Sequence, residues 1–295
     1  MHDLPTLLAH SKDLDLIVRH VLAGLGHGLH AGRERGAGVE FSEYRAYAPG
    51  DEWRRVDWKL LARNDRYYVR EAERDSHVAV WFWLDASASM AETSYQAHAQ
   101  GYSKLDYARV VLACLAAIAQ RQGDAFGLMI ASDGGIQMTP VARGPRQFQR
   151  VVARAQKAQA RGSLPNAETL AAHLHFARAP SLLFCITDAL DWPSAQSESL
   201  MRLRRMQHDV RILCLQTEAE KEANFARDRN YVDPEHPTRW VAWRDVDRQA
   251  YLANAQKHFS QVASDCRSAD IPYWQSTIEE SPASCLRSFL RQARR

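Results

Sequence analysis

A chain of 295 residues with 46% apolar and 25% charged side chains can bury a substantial core, which excludes a disordered or low-complexity protein. A net charge of +3 at pH 7 gives no reason for a polyanion partner, and five cysteines without a C-x-x-C spacing exclude a disulfide framework or a thiolate zinc site. The start, MHDLPTLLAHSKD, lacks the charged-then-apolar order of a signal peptide, and the longest apolar run, 110–119, is too short to cross a bilayer. A reduced, cytoplasmic protein without a membrane span is the expectation.

Leu14, Ile17, Val18, Val21, Leu22 and Leu25 recur at helical spacing and predict an amphipathic helix that stops at the glycines of GLGHG. Gly24, Gly26 and Gly28 follow a helix rather than a strand, so they read as a helix stop and not as a dinucleotide fingerprint. His27 and His30 have no third ligand nearby and read as solvated or capping residues. The block from Glu40 to Glu71 is dense in aromatic and charged residues, with a turn at Pro49 and Gly50. Residues 33–75 hold ten Lys or Arg against ten Asp or Glu, which is a salt-bridged folded surface and not a nucleic-acid patch. Two uses stand open for this block. It can be a satellite packed by Arg–carboxylate pairs and aromatic faces, or a recognition platform anchored by Trp53, Arg54, Asp57 and Trp58.

Strands and helices alternate from Val78 onward, predicting an α/β, doubly wound and mostly parallel sheet. Strands are expected near 78–85, 125–132, 181–187, 209–216 and 271–277, with an antiparallel edge strand at 136–140 after the turn of Asp133, Gly134 and Gly135. Helices are expected near 103–121, 145–160, 166–177, 195–207, 247–268 and 282–293, with 218–238 as a polar insertion or long loop. Cys185 and Cys214 fall within core strands and Cys114 on a helix face, where a thiol acts as a small hydrophobe. The organisation expected is an N-terminal extension, 1–75, followed by one sheet domain, 76–295.

The run VAVWFWLDASASM, 78–90, organises this domain. Its apolar, β-branched and aromatic part reads as a strand covered on both faces. It ends at Asp85, with Ser87 and Ser89 just beyond, where an open α/β sheet binds its ligand. An Asp with hydroxyls two and four residues later offers three hard oxygen donors, which suits Mg²⁺ or Mn²⁺. SLLFCITD, 181–188, supplies a second carboxylate, Asp188, in the same way from another strand end.

LDASASM followed by ITDAL resembles the metal-ion-dependent adhesion site of von Willebrand factor A domains. Upstream, residues 36–71, GAGVEFSEYRAYAPGDEWRRVDWKLLARNDRYYVRE, resemble the signature of the bacterial domain-of-unknown-function family 58. HDVRILCLQ, YVDPE and the closing IPYWQSTIEESPASCLRSFL fit the same family, so the resemblance covers nearly the whole chain. It implies a von Willebrand factor A-like, Rossmann-type fold and a metal held by Asp85, Ser87, Ser89 and Asp188. Such domains usually add a Thr from a later loop. The stretch 161–170 has no clear equivalent, and Ser163 and Thr169 are the candidates there.

The resemblance further implies a non-enzymatic adaptor working with a MoxR-type AAA+ ATPase in the assembly or maturation of client proteins. A metal-free scaffold, in which Asp85 and the serines cap the following helix, is the alternative. A phosphotransfer enzyme with Asp85 as nucleophile is disfavoured. Such an enzyme needs an acid two residues on, where Ser87 stands, and the chain has neither G-x-S-x-G nor G-x-x-x-x-G-K-[ST].

Overall fold

A computed structural model describes residues 18, 21–22, 43–46, 68–71, 79–94, 101–174, 180–226, 230–236 and 238–292. The chain divides into two compact units, residues 29–77 forming one and residues 1–28 with 78–295 the other. In the smaller unit, strand β1 (Glu43–Ala46) pairs antiparallel with β2 (Tyr68–Glu71), Glu43 opposite Glu71. Trp53, Arg54, Asp57, Trp58, His27 and His30 lie outside the described residues.

Val18, Val21 and Leu22 are helical and buried in one apolar cluster of the larger unit. Residues 1–28 group with the sheet rather than with residues 29–77.

The larger unit is built on β3 (Ala79–Asp85), β6 (Phe126–Ser132), β7 (Gly135–Ala142), β8 (Ser181–Thr187), β9 (Asp209–Gln216) and β12 (Tyr273–Thr277), with β4 (Thr93–Ser94) and β5 (Tyr102–Ser103) forming a separate short antiparallel pair. The six longer strands form one sheet in the order β12-β9-β8-β3-β6-β7, parallel except for β7, which runs antiparallel to β6. Helices α1 (Lys104–Gln122), α2 (Pro145–Lys157), α3 (Ala167–His173), α4 (Ala195–Arg205), α5 (Glu218–Glu222), α6 (Arg248–Ser268) and α7 (Pro282–Gln292) connect or close it.

Alternation along β3 sorts the core into two layers. Val80, Phe82 and Leu84 face a cluster with α1, Val151 of α2, and Leu286 and Phe289 of α7, while Trp81 and Trp83 face Leu170, Leu200, Leu203, Val262 and Cys266. With both faces covered, β3 and β6 carry no polar residue until they end. Gly127 on β6 makes room for this packing: a Cβ there would stand 2.8 Å from Trp81 Cζ3 and from the Thr139 carbonyl oxygen. At this end of the sheet the β6–β7 register shifts between Phe126 and Leu128. The Gln147 amide donates to the carbonyls of Phe126 at 2.7 Å and Pro140 at 2.8 Å.

The insertion expected at 218–238 is not a plain loop. Thr217 and Glu220 form a capping box that starts α5, and Asn230–Val232 (β10) pairs antiparallel with Trp240–Ala242 (β11). A Thr three residues before a Glu is a helix-start signal that polarity alone concealed. All five cysteines are free and buried. Among the described residues no helix is long and apolar enough to cross a membrane.

Candidate functional site

The connection after β3 leads to β6 on one side, whereas the connection after β8 leads to β9 on the other. A crevice therefore opens between the carboxyl ends of β3 and β8, the switch point at which α/β sheets bind ligands. Asp85 is the last residue of β3 and Asp188 follows β8 directly, and both are buried. The two strand-end acids inferred from the sequence thus meet at one place.

Every hydrogen bond around Asp85 fixes its direction. The Ser87 N–H and hydroxyl donate to Asp85 Oδ1 at 2.8 and 2.7 Å, and the Thr187 hydroxyl donates to Oδ2 at 2.5 Å. The Ser87 and Ser89 hydroxyls lie 3.1 Å apart. Residues Ala88–Ala91 form a 3₁₀ turn whose N-cap, Ser87, makes no side-chain capping bond. Helix capping therefore does not account for the Asp-x-Ser-x-Ser pattern. Beyond β8, Leu190 N–H donates to Asp188 Oδ1 at 3.3 Å. Ala189 between them has φ 54°, a left-handed conformation that costs a non-glycine residue energy and is concentrated at functional turns.

Charge at this edge is unevenly compensated. Burial, then the neighbouring Asp188 carboxylate, pushes the Asp85 carboxyl up to about 7, although the Thr187 and Ser87 hydrogen bonds oppose the rise. Lys104 Nζ donates to Asp188 Oδ2 at 2.8 Å and to Glu220 Oε1 at 2.9 Å, with 1% of its side chain exposed. Burial alone would pull this amine down; Asp188 and Glu220 outweigh it and hold the amine above its ordinary range. Burial first, and then nearby carboxylates, also raise Glu92, Asp191 and Glu235.

The donor chemistry fits a hard divalent ion. Lys104 is matched by Asp188 and Glu220, and the buried Asp85 beside Asp188 adds a further acid group, so acid groups outnumber the ammonium at this edge and a Mg²⁺ or Mn²⁺ would offset the excess. Two convergent hydroxyls add neutral oxygen donors. Asp85, Ser87, Ser89 and Asp188 are the residues that would hold it. Among the described residues no set of three or more His, Cys, Asp or Glu side chains is arranged as a metal cage, so water or an incoming oxygen would complete the shell.

Of the further candidates, neither is brought into this hydrogen-bonded network. Ser163 is exposed, and Thr169 sits in the first turn of α3, its N–H capped by Asn166 Oδ1 at 2.9 Å. Their segment does touch the site through its backbone: Arg161 N–H donates to the Ala86 carbonyl at 3.0 Å and Ala88 N–H to the Gly162 carbonyl at 2.7 Å.

Thr187, Lys104, Glu220 and Gln196 are not evident from the sequence pattern. Leu84 pairs with Ile186, so Thr187 comes opposite Asp85 by register alone. Gln196 Oε1 lies 3.4 Å from the Thr187 hydroxyl, and its buried amide nitrogen has no hydrogen-bond partner among the described residues. The one sequence signal for Lys104 is its position: a lysine at the first turn of a helix opposes the helix dipole.

The curated relatives include the uncharacterized proteins Rv1480 of Mycobacterium tuberculosis (strain H37Rv) and Mb1516 of Mycobacterium bovis. Both are 34% identical over 152 residues, 52% of this chain and 46% of theirs, so the match spans about half their length. Similar solved structures include BatB from Bacteroides thetaiotaomicron, at 14% identity and a TM-score of 0.44 over 74% of this chain and 98% of that one. A von Willebrand factor type A protein from Catenulispora acidiphila, at 12% identity and a TM-score of 0.42, covers 74% of this chain and 42% of its own. The larger unit is a mostly parallel α/β sheet with a single antiparallel edge strand and an acid-tipped β3. Residues 43–261 match the family described as "Protein of unknown function DUF58", and the chain belongs to that family.

Proposed function

We propose that this protein is a non-enzymatic adaptor that binds a divalent cation at the β3–β8 edge and engages protein partners there. The observation that carries the reading is the excess of buried carboxylate over ammonium beside two convergent hydroxyls. When bound, Mg²⁺ or Mn²⁺ would supply positive charge and open coordination positions for an acidic group. Asp85 and Asp188 would contribute charge, Ser87 and Ser89 neutral oxygens, and Thr187 would keep the Asp85 carboxylate in one orientation. A MoxR-type AAA+ ATPase and its clients are the partners we infer, with assembly or maturation of other proteins as the process. Trp53, Arg54, Asp57 and Trp58 are the residues we infer to add anchoring contacts.

An enzymatic role for Asp85 has little support. Both of its oxygens are engaged by Ser87 and Thr187, and Ser87 occupies the position a general acid would need.

The test is calorimetry with Mg²⁺ and Mn²⁺ on wild type and Asp85→Ala, followed by co-purification with the ATPase in the presence and absence of EDTA. Metal heat in wild type that is absent in Asp85→Ala, with EDTA-sensitive association, is the expected result. Identical heats, or none in either protein, would sink the metal reading and promote the metal-free scaffold. Association insensitive to EDTA and to Asp85→Ala would move docking away from this edge.

A further inference from the structure

Lys104 is a fully buried cation at this edge. It is the first residue of α1, at the positive end of the helix dipole, and its side chain is 1% exposed. Its position is not accidental to the local fold. Ser103 and Asp106 form a capping box that fixes where the helix begins, and the Lys104 N–H donates to the Glu92 carbonyl at 3.0 Å. The stem is therefore aimed before the ammonium finds its partners. Those partners are held in turn: Asp188 Oδ1 accepts from Leu190 N–H, and Glu220 Oε2 accepts from the Thr217 N–H at 2.7 Å and hydroxyl at 3.1 Å. One ammonium thus ties the start of α1 to the end of β8 and to α5.

Resting on the metal reading above, we propose that Lys104 is a tethered counter-cation that occupies one share of the site's charge, limiting the edge to a single, weakly held divalent ion. Without it the Asp188 and Glu220 carboxylates would stand unneutralised next to Asp85, and the edge would draw a tighter ion.

Changes of one unit charge at each position give a test with opposite signs. Lys104→Met keeps the apolar stem and removes the ammonium, so Mn²⁺ affinity by calorimetry at pH 8 should rise at least about tenfold. Glu220→Gln leaves the ammonium facing one acid fewer, so affinity should fall by a similar factor. The double variant should return close to wild type. Thermal stability in EDTA should drop in Lys104→Met and be restored by Mn²⁺ more strongly than in wild type. A purely structural lysine would instead weaken metal binding in proportion to lost stability, with no recovery in the double variant; that pattern overturns the proposal, as does equal affinity in all four proteins. Absence of metal heat in wild type and all variants would overturn the metal reading itself and this proposal with it. If Lys104→Met does not fold, Glu220→Gln alone decides: unchanged or tighter Mn²⁺ binding overturns the proposal.

Discussion

Asp85 is stabilised in position and destabilised in charge. Its carboxyl, raised from 3.8 to about 7 by burial and by Asp188, stays protonated in the folded chain over a range where the unfolded chain releases the proton. Below about pH 4 both states hold the proton and no penalty exists. As pH rises from 4 to 7 the unfolded state gains, so stability falls across that window, and the loss is complete above pH 7. Asp85→Asn retains an acceptor for Ser87 and removes the charge. In EDTA at pH 8 it should melt on the order of 5 °C higher than wild type, a difference that vanishes at pH 4. Equal melting temperatures at pH 8 would mean that the charge is already compensated.

Single residues also mark the limits of what the sequence carries. Asp85 and Asp188 were legible because an apolar run that ends in an acid is a local pattern. Thr187 was not, since facing Asp85 depends on which strands pair and in what register. Lys104 lies 84 residues from Asp188 and 116 from Glu220, so no local pattern links the three.

At the scale of elements, the alternation of strands and helices came through because a buried parallel strand and an amphipathic helix have different apolar periods. What failed was the segment after β9, where polarity suggested a loop and capping chemistry built α5 with its site carboxylate. The loop leading to α3 shows another kind of dependence. Gly162 has φ 52°, and a Cβ there would clash with Asp133 Cβ, while its carbonyl holds Ala88. Gly162→Ala should cost about 2 kcal/mol by chemical denaturation, from backbone strain and the clash together. It should also weaken Mg²⁺ binding, although no side chain of this loop joins the site's hydrogen-bonded network. Conversely, unaltered stability would show that the loop is free to shift.

At the scale of the whole larger unit, one face of the sheet is covered by helices drawn from both ends of the sequence. Val18, Val21 and Leu22 share a cluster with Phe289 of α7, whose ring meets Phe184 of β8 edge-on at 5.8 Å. Phe289→Ala should therefore cost about 3–5 kcal/mol in urea unfolding, comparable to truncation at the sheet's centre despite its place six residues from the end of the sequence. A cost under about 1 kcal/mol would mean that α7 packs as an appendage.

The β7 side of the sheet bears on how copies of this protein behave when concentrated. An outermost strand ordinarily offers a row of unpaired backbone groups on which another chain can template. Here Pro140 lacks an N–H, its carbonyl is taken by Gln147, and the register slips beside Gly127. A neighbour attempting to extend the sheet would meet an interrupted ladder, so fibre-like growth from this side is blocked by the strand's own chemistry.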